Sequence, residues 1–311
     1  MPMLSGLFTD EVLASLLNVQ RPPASPWDDG GIPVRRRHEV VRCTGPEPWR
    51  SGWALKRAWE GYLSAANECG LLADAELRAN LTGGDDESFR GAMAECLVTW
   101  FVLRKLGMAV TPKPEPKAQK NVDFAARSGS LEVFGEVKSP YVPLLNCVGS
   151  GDDSRNLRAC VEAAGPQFKK GRCNVLFLAP VLRTPIYMNR DQLVKAVVGE
   201  QALAVYVSFD PHRPAPPPEP TFLQTGKLAR LHPQKDGSIR TDYTRISAVV
   251  SVEEILFEAA TGERTVDHKT TVVHNPFAEV ALPPEAFGAY PQLVKRADGN
   301  MEWTDRLDAT R

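Results

Sequence analysis

An α/β fold built on a mixed central sheet is what this sequence predicts, and three observations carry that expectation. Apolar residues recur with helical spacing over some segments and alternate or run together over others. Between residues 86 and 180 these segments follow the order helix, strand, strand, strand, helix, strand. Gly- and Pro-rich stretches punctuate the series. The chain has 311 residues, 43% hydrophobic and 24% charged, enough to bury a sizeable core. It reads as a mainly helical N-terminal segment (1–84), a core (85–210), and an α+β C-terminal extension (211–311) that can pack on that core.

Residues 9–18 form a short helix, with Thr9 as cap and Val12, Leu13, Leu16 and Leu17 apolar. The stretch 19–48 is rich in Pro and Gly, carries Arg35-Arg36-Arg37-His38, and reads as irregular. A helix starts near Pro48, with Leu55, Trp59, Tyr62, Leu63 and Ala66 on one face. Another covers 72–81 and stops at Gly83-Gly84. The next is capped by Asp85 or Asp86 and ended by Gly107. Between Gly91 and Leu103 its one carboxylate is Glu95, and a helix so apolar is buried on most sides.

A short strand is expected at 108–110, then an exposed, basic, proline-rich connection at 111–120. Strands at 121–126 and 131–139 flank a turn at Ser128-Gly129-Ser130. The loop from Gly149 to Asp153 leads into a helix at 155–169 ended by Gly171, and 174–180 is a buried strand. Beyond lie a helix at 191–200, a strand at 202–209 and a stiff proline connector at 211–220. A strand at 245–252, a helix at 253–259 and a strand at 270–274 follow, and the polar tail from Asp298 is expected to be mobile.

Several function classes lose support. No apolar run approaches the roughly 18 residues of a bilayer-crossing helix. Residues 1–18 lack a basic leader, so a cytoplasmic protein without a membrane partner is expected. The six cysteines show no C-x-x-C pair and are expected to be reduced structural thiols. No Gly-Lys-Ser/Thr follows the Gly149 loop and no G-x-S-x-G elbow occurs, which removes phosphate-loop and serine-hydrolase readings. With a net charge of −1, any contact with nucleic acid has to use a local patch.

One group of residues carries chemistry. Alternation along the strand at 131–139 puts Phe134, Glu136 and Lys138 on one face and Val133, Gly135 and Val137 on the other. If the neighbouring strand pairs with it as a hairpin, Asp123 joins Glu136 and Lys138. Two carboxylates suit a hard cation such as Mg²⁺, which takes oxygen ligands. An ammonium beside them can stabilise charge developing on a phosphate.

The residues Val122-Asp123-Phe124, the gap to Glu136-Val137-Lys138, and the preceding helix with Ala94-Glu95 resemble the PD-(D/E)XK nuclease superfamily. The resemblance spans about residues 86–180 and implies a restriction-endonuclease-like αβββαβ core. It implies that Asp123, Glu136, Val137 and Glu95 hold Mg²⁺, with Mn²⁺ able to substitute, and that Lys138 is the catalytic lysine. Gln167, in Gln167-Phe168-Lys169-Lys170, resembles a glutamine that some members carry on the second core helix. The proline usual before the motif aspartate is Val122 here. The implied activity is metal-dependent hydrolysis of DNA in restriction, phage defence or repair, by a homodimer or with a partner protein.

Plainer readings stand beside this one. Asp123, Glu136 and Lys138 also fit an exposed strand face with a cross-strand ion pair. Glu95 also fits a buried acid paired to an arginine, and Gln167 a polar helix face. Arg35 to His38 fit a solvated loop or a phosphate contact. Trp49, Trp53 and Trp59 are read as core rather than as base-stacking platforms. His268 and His274 are read as structural. The rivals in function are a nucleic-acid-binding or assembly protein that does not cut, and a nuclease acting on RNA.

Overall fold

The computed structural model describes residues 6–17, 52–115, 121–140, 154–181, 190–204, 219–223, 226–228, 231–233, 239–258, 264–297 and 300–304. The chain begins with helices α1 (Asp10–Leu17), α2 (Gly52–Glu68), α3 (Ala75–Thr82) and α4 (Asp86–Trp100). Capping sets two of the starts. Asp74 accepts from the N–H groups of Glu76 and Leu77 at the head of α3, and Asp85 accepts from Ser88 at the head of α4. A π-helical turn, Phe101–Lys105, prolongs α4. Gly107, at a φ of 65°, then turns the chain out of it.

Strands β1 (Ala109–Pro112), β2 (Phe124–Ser128) and β3 (Leu131–Lys138) follow, then α5 (Ser154–Ala164) and β4 (Asn174–Leu178). β1, β2 and β3 pair antiparallel in series, whereas β3 and β4 are parallel, joined through the α5 crossover. Next come α6 (Arg190–Val197), β5 (Glu200–Ala204), β6 (Glu219–Leu223), β7 (Leu231–Pro233) and β8 (Ile239–Thr241). The chain returns to the sheet with β9 (Ala248–Glu258), β10 (Arg264–His274), β11 (Gln292–Lys295) and β12 (Met301–Thr304). The result is one mixed eight-stranded sheet, ordered β1-β2-β3-β4-β9-β10-β11-β12, with β5-β6 and β7-β8 as separate ribbons.

Period-2 alternation divides this sheet between two apolar layers. Val175 and Phe177 of β4, with Val250 of β9 and Val272 of β10, pack under α2 and α4 together with Trp59, Leu63, Phe89 and Leu97. Leu176 and Leu178, with Val249 and Val273, pack on the other side against Leu157 and Val161 of α5 and Leu193 and Val197 of α6. β4 and the start of β9 are therefore buried on both faces, as a parallel sheet covered by helices requires. Trp59 is core, at 0% exposure. His274 bonds Gln292 and His268 bonds Tyr62, both within the fold.

Several expectations are corrected. The helix expected at 253–259 is strand: β9 continues to Glu258 and pairs with β10, which starts at Arg264 rather than at Thr270. Cross-strand partners outweigh the local preference of Glu-Glu-Ile-Leu, since Glu253 faces Lys269 and Glu254 faces His268. The helix expected at 155–169 ends at Ala164, with Gly165-Pro166-Gln167 forming a 3-10 turn. Pro166 has no N–H, and the residue before a proline is pushed out of the α region. β1 takes in Thr111 and Pro112, which Pro tolerates because β1 is an edge strand. The expected strand at 121–126 starts only at Phe124.

The C-terminal segment supplies half of the central sheet rather than an appendage, and the tail beyond Asp298 contributes β12. Pro220, expected in a connector, pairs with Leu203 in the β5-β6 ribbon. Arg35 to His38, Trp49, Gly149 to Asp153, Cys43 and Cys147 lie outside the described residues, as does the side chain of Trp53. Cys69, Cys96, Cys160 and Cys173 are free thiols. No helix among the described residues is long and apolar enough to cross a membrane.

Gly135 shows how tightly β2 and β3 meet. A Cβ there would come within 2.2 Å of the Phe124 ring, directly opposite in the ladder. That ring is 3% exposed and packs on Phe177 at a 5.5 Å centroid distance, so it has nowhere to retreat. Gly135→Ala is expected to destabilise the protein by about 1–3 kcal/mol through overpacking. Denaturant unfolding measures this, and an unchanged midpoint would contradict the packing described.

Candidate active site

The ladder between β2 and β3 ends at the Phe124–Gly135 pair, and the strands part there. On β3, Phe134 and Lys138 bond main chain to main chain with the β4 side, through Cys173 and Ala179. Alternation turns the main-chain groups of Val137 the other way, toward β2, where no strand partner remains. A buried N–H cannot be left empty without cost. Asp123 fills the gap: its Oδ2 accepts the Val137 N–H at 2.7 Å. The Asp123 carbonyl accepts the N–H of Lys113 at 2.8 Å, so one residue is held between β1 and β3.

Glu136 is the next residue back on β3, 1% exposed and on the face toward α5 and α6. Lys138, two residues on and on the same face, places its Nζ 2.6 Å from Glu136 Oε1. The other oxygen, Oε2, is buried with no hydrogen-bond partner. Glu95, on α4 across the sheet, also has a buried and unpartnered Oε2.

These acids feel one another. Burial pushes the Glu136 carboxyl up to about 8; Asp123 adds to the rise and Lys138 opposes it. Burial also raises Asp123, against the pull of the Val137 N–H and of the Lys138 and Lys113 ammoniums. Glu95 lies well above the usual carboxylate range, first through burial and then through the charge of Asp123, while Lys113 lowers it. For Lys138, burial acts to lower the pKa, but Glu136 and Asp123 raise it on balance. The charges of Glu95, Asp123, Glu136 and Lys138 thus act in one electrostatic cluster.

Not every expected member belongs to it equally. Val137 contributes through its main chain, with its side chain in the layer under α4. Gln167 stands apart, in the turn leading toward Asn174, whose ladder partner is Phe134. Lys138 is four residues farther along β3, roughly 13 Å at about 3.3 Å per residue. Among the described residues no group of three or more His, Cys, Asp or Glu side chains could hold a metal ion. The three acids are therefore not gathered as a ready-made cage. Each of the two orphaned oxygens, on Glu136 and on Glu95, is chemically of the kind a hard cation takes.

Lys113, in the segment expected as an exposed connection, and Asp74 also border this cluster. Their ion pair, at 2.6 Å, borders Glu95 electrostatically. The pairing of β1 with β2 brings Lys113 here, and Asp74, which falls inside the helix expected at 72–81, caps a helix that starts only at Ala75. No protein-family model matches the chain, and neither does any curated protein or solved structure.

The raised Glu136 pKa has a measurable sign. The native state keeps a proton that the unfolded chain releases above its ordinary value of 4.5, so this stabilising contribution is lost as pH rises through about 8. Glu136→Gln removes the ionisation. Without divalent ions, its melting temperature relative to the wild type is expected to climb as pH rises from about 5 to about 8. Parallel curves would show that Glu136 is not held as described.

Proposed function

We propose that this protein is a metal-dependent nuclease with a restriction-endonuclease-like core, hydrolysing phosphodiester bonds of DNA. One observation carries the reading: buried Glu136 and half-buried Glu95 each keep a buried, unpartnered oxygen, Glu136 pairs with the Lys138 ammonium, and both acids feel the charge of Asp123. Buried polar atoms are nearly always satisfied, and an orphan calls for a missing partner such as an ion. The helix, three antiparallel strands, helix and parallel strand that carry these residues support it as well.

In this reading Asp123 and Glu136 hold the cation, with the Val137 carbonyl facing the same gap and Glu95 behind. Bound there, a divalent ion neutralises phosphate charge and lowers the pKa of a coordinated water. Lys138 stays protonated beside Glu136 and donates to the phosphate oxygen on which negative charge grows. Glu136 holds Lys138 in place, and the Val137 N–H holds Asp123. Restriction, phage defence and repair are the settings such an activity fits.

The test is cleavage of duplex DNA, single-stranded DNA and RNA with Mg²⁺ or Mn²⁺. Asp123→Asn and Lys138→Gln are each expected to lower kcat by about 10²–10³ while the fold survives. Cleavage that both variants retain would remove the assignment. A wild type that binds nucleic acid without cutting would favour a binding or assembly role.

A further inference from the structure

Lys113 directly follows β1 and precedes Pro114, with a φ of 40°. A following proline favours extended backbone, and left-handed φ strains any residue with a Cβ. Two bonds hold it there. Its N–H donates to the Asp123 carbonyl at 2.8 Å, and its Nζ pairs with Asp74 Oδ2 at 2.6 Å. Asp74 uses its other oxygen, Oδ1, to cap α3 through the N–H groups of Glu76 and Leu77. Backbone strain of this kind concentrates where function demands a fixed direction.

The Lys113 side chain is 35% exposed and that of Asp74 14%, so the ammonium borders solvent while its partner is sheltered. Its charge acts on both Glu95 and Asp123, while Lys138 acts on Asp123 and Glu136 from β3. The acid cluster is therefore flanked by two lysines, one on β3 and one just past the end of β1. A phosphate drawn over those acids needs positive charge on both flanks, and a chain of net charge −1 has to supply it locally.

We propose that Lys113 is a substrate-phosphate contact of this site, kept in reserve by Asp74; the proposal rests on the nuclease reading. When nucleic acid enters, the ammonium exchanges Asp74 Oδ2 for a phosphate oxygen. Asp74 remains bonded to the α3 amides, so the exchange leaves no charge without a partner.

The experiment measures binding of a labelled duplex DNA oligonucleotide and its RNA counterpart in Ca²⁺ over a salt series, with kcat and KM in Mn²⁺. Lys113→Gln is expected to weaken binding about tenfold and to reduce the salt slope by about one. KM should rise with kcat within a few-fold, in contrast to Lys138→Gln, which loses kcat. Asp74→Asn keeps a good helix cap and frees Lys113, so it should bind several-fold more tightly. An unchanged salt slope in Lys113→Gln, with or without a lowered melting temperature, overturns the proposal while the nuclease reading stands. A wild type that neither binds nor cuts either probe removes both.

Discussion

The hydrogen bond from the Val137 N–H to the Asp123 carboxylate is the constraint on which the site depends. It exists because β2 and β3 separate after the Phe124–Gly135 pair, leaving a donor in the interior without a strand to meet it. An unmet buried donor costs about 1–3 kcal/mol, and a charged acceptor makes a bond stronger than a neutral one. The sheet thus closes its own defect with an acid. The main-chain carbonyl of the same residue accepts the N–H of Lys113, just past β1, so Asp123 is fixed from both sides.

Burying Asp123, Glu136 and Glu95 near one another is unfavourable, and the raised pKa values of all three express that cost. Lys138 on β3 and Lys113 just past β1 offset part of it. What remains is a site short of positive charge, with two acid oxygens unsatisfied. A fold selected for stability alone would replace such a cluster with apolar side chains. Local departures of this kind are expected where function sets the terms.

The rest of the molecule holds this arrangement rigid. β4 lies between β3 and β9, buried on both faces, so the strand carrying Glu136 and Lys138 is braced by a fully buried neighbour. The N-terminal helices reach across to the far strands: Tyr62 of α2 bonds His268 of β10 at 2.6 Å, beside Trp100 of α4. Burial pushes His268 down to about 4, so it stays a neutral partner in that joint. Early and late parts of the chain therefore share one core.

Much of this was legible along the chain. The alternation that puts Glu136 and Lys138 on one face, the cap at Asp85, and the helix and strand order from 86 to 180 depend on neighbours in sequence. Local sterics and hydrogen bonds decide such features. The strand nature of residues 253–258, the place of β9–β12 in the central sheet, and the recruitment of Lys113 were not. Each depends on a partner far away in sequence: a facing strand, or an acid capping another helix. Periodicity says which residues point the same way, but only long-range pairing says what they meet.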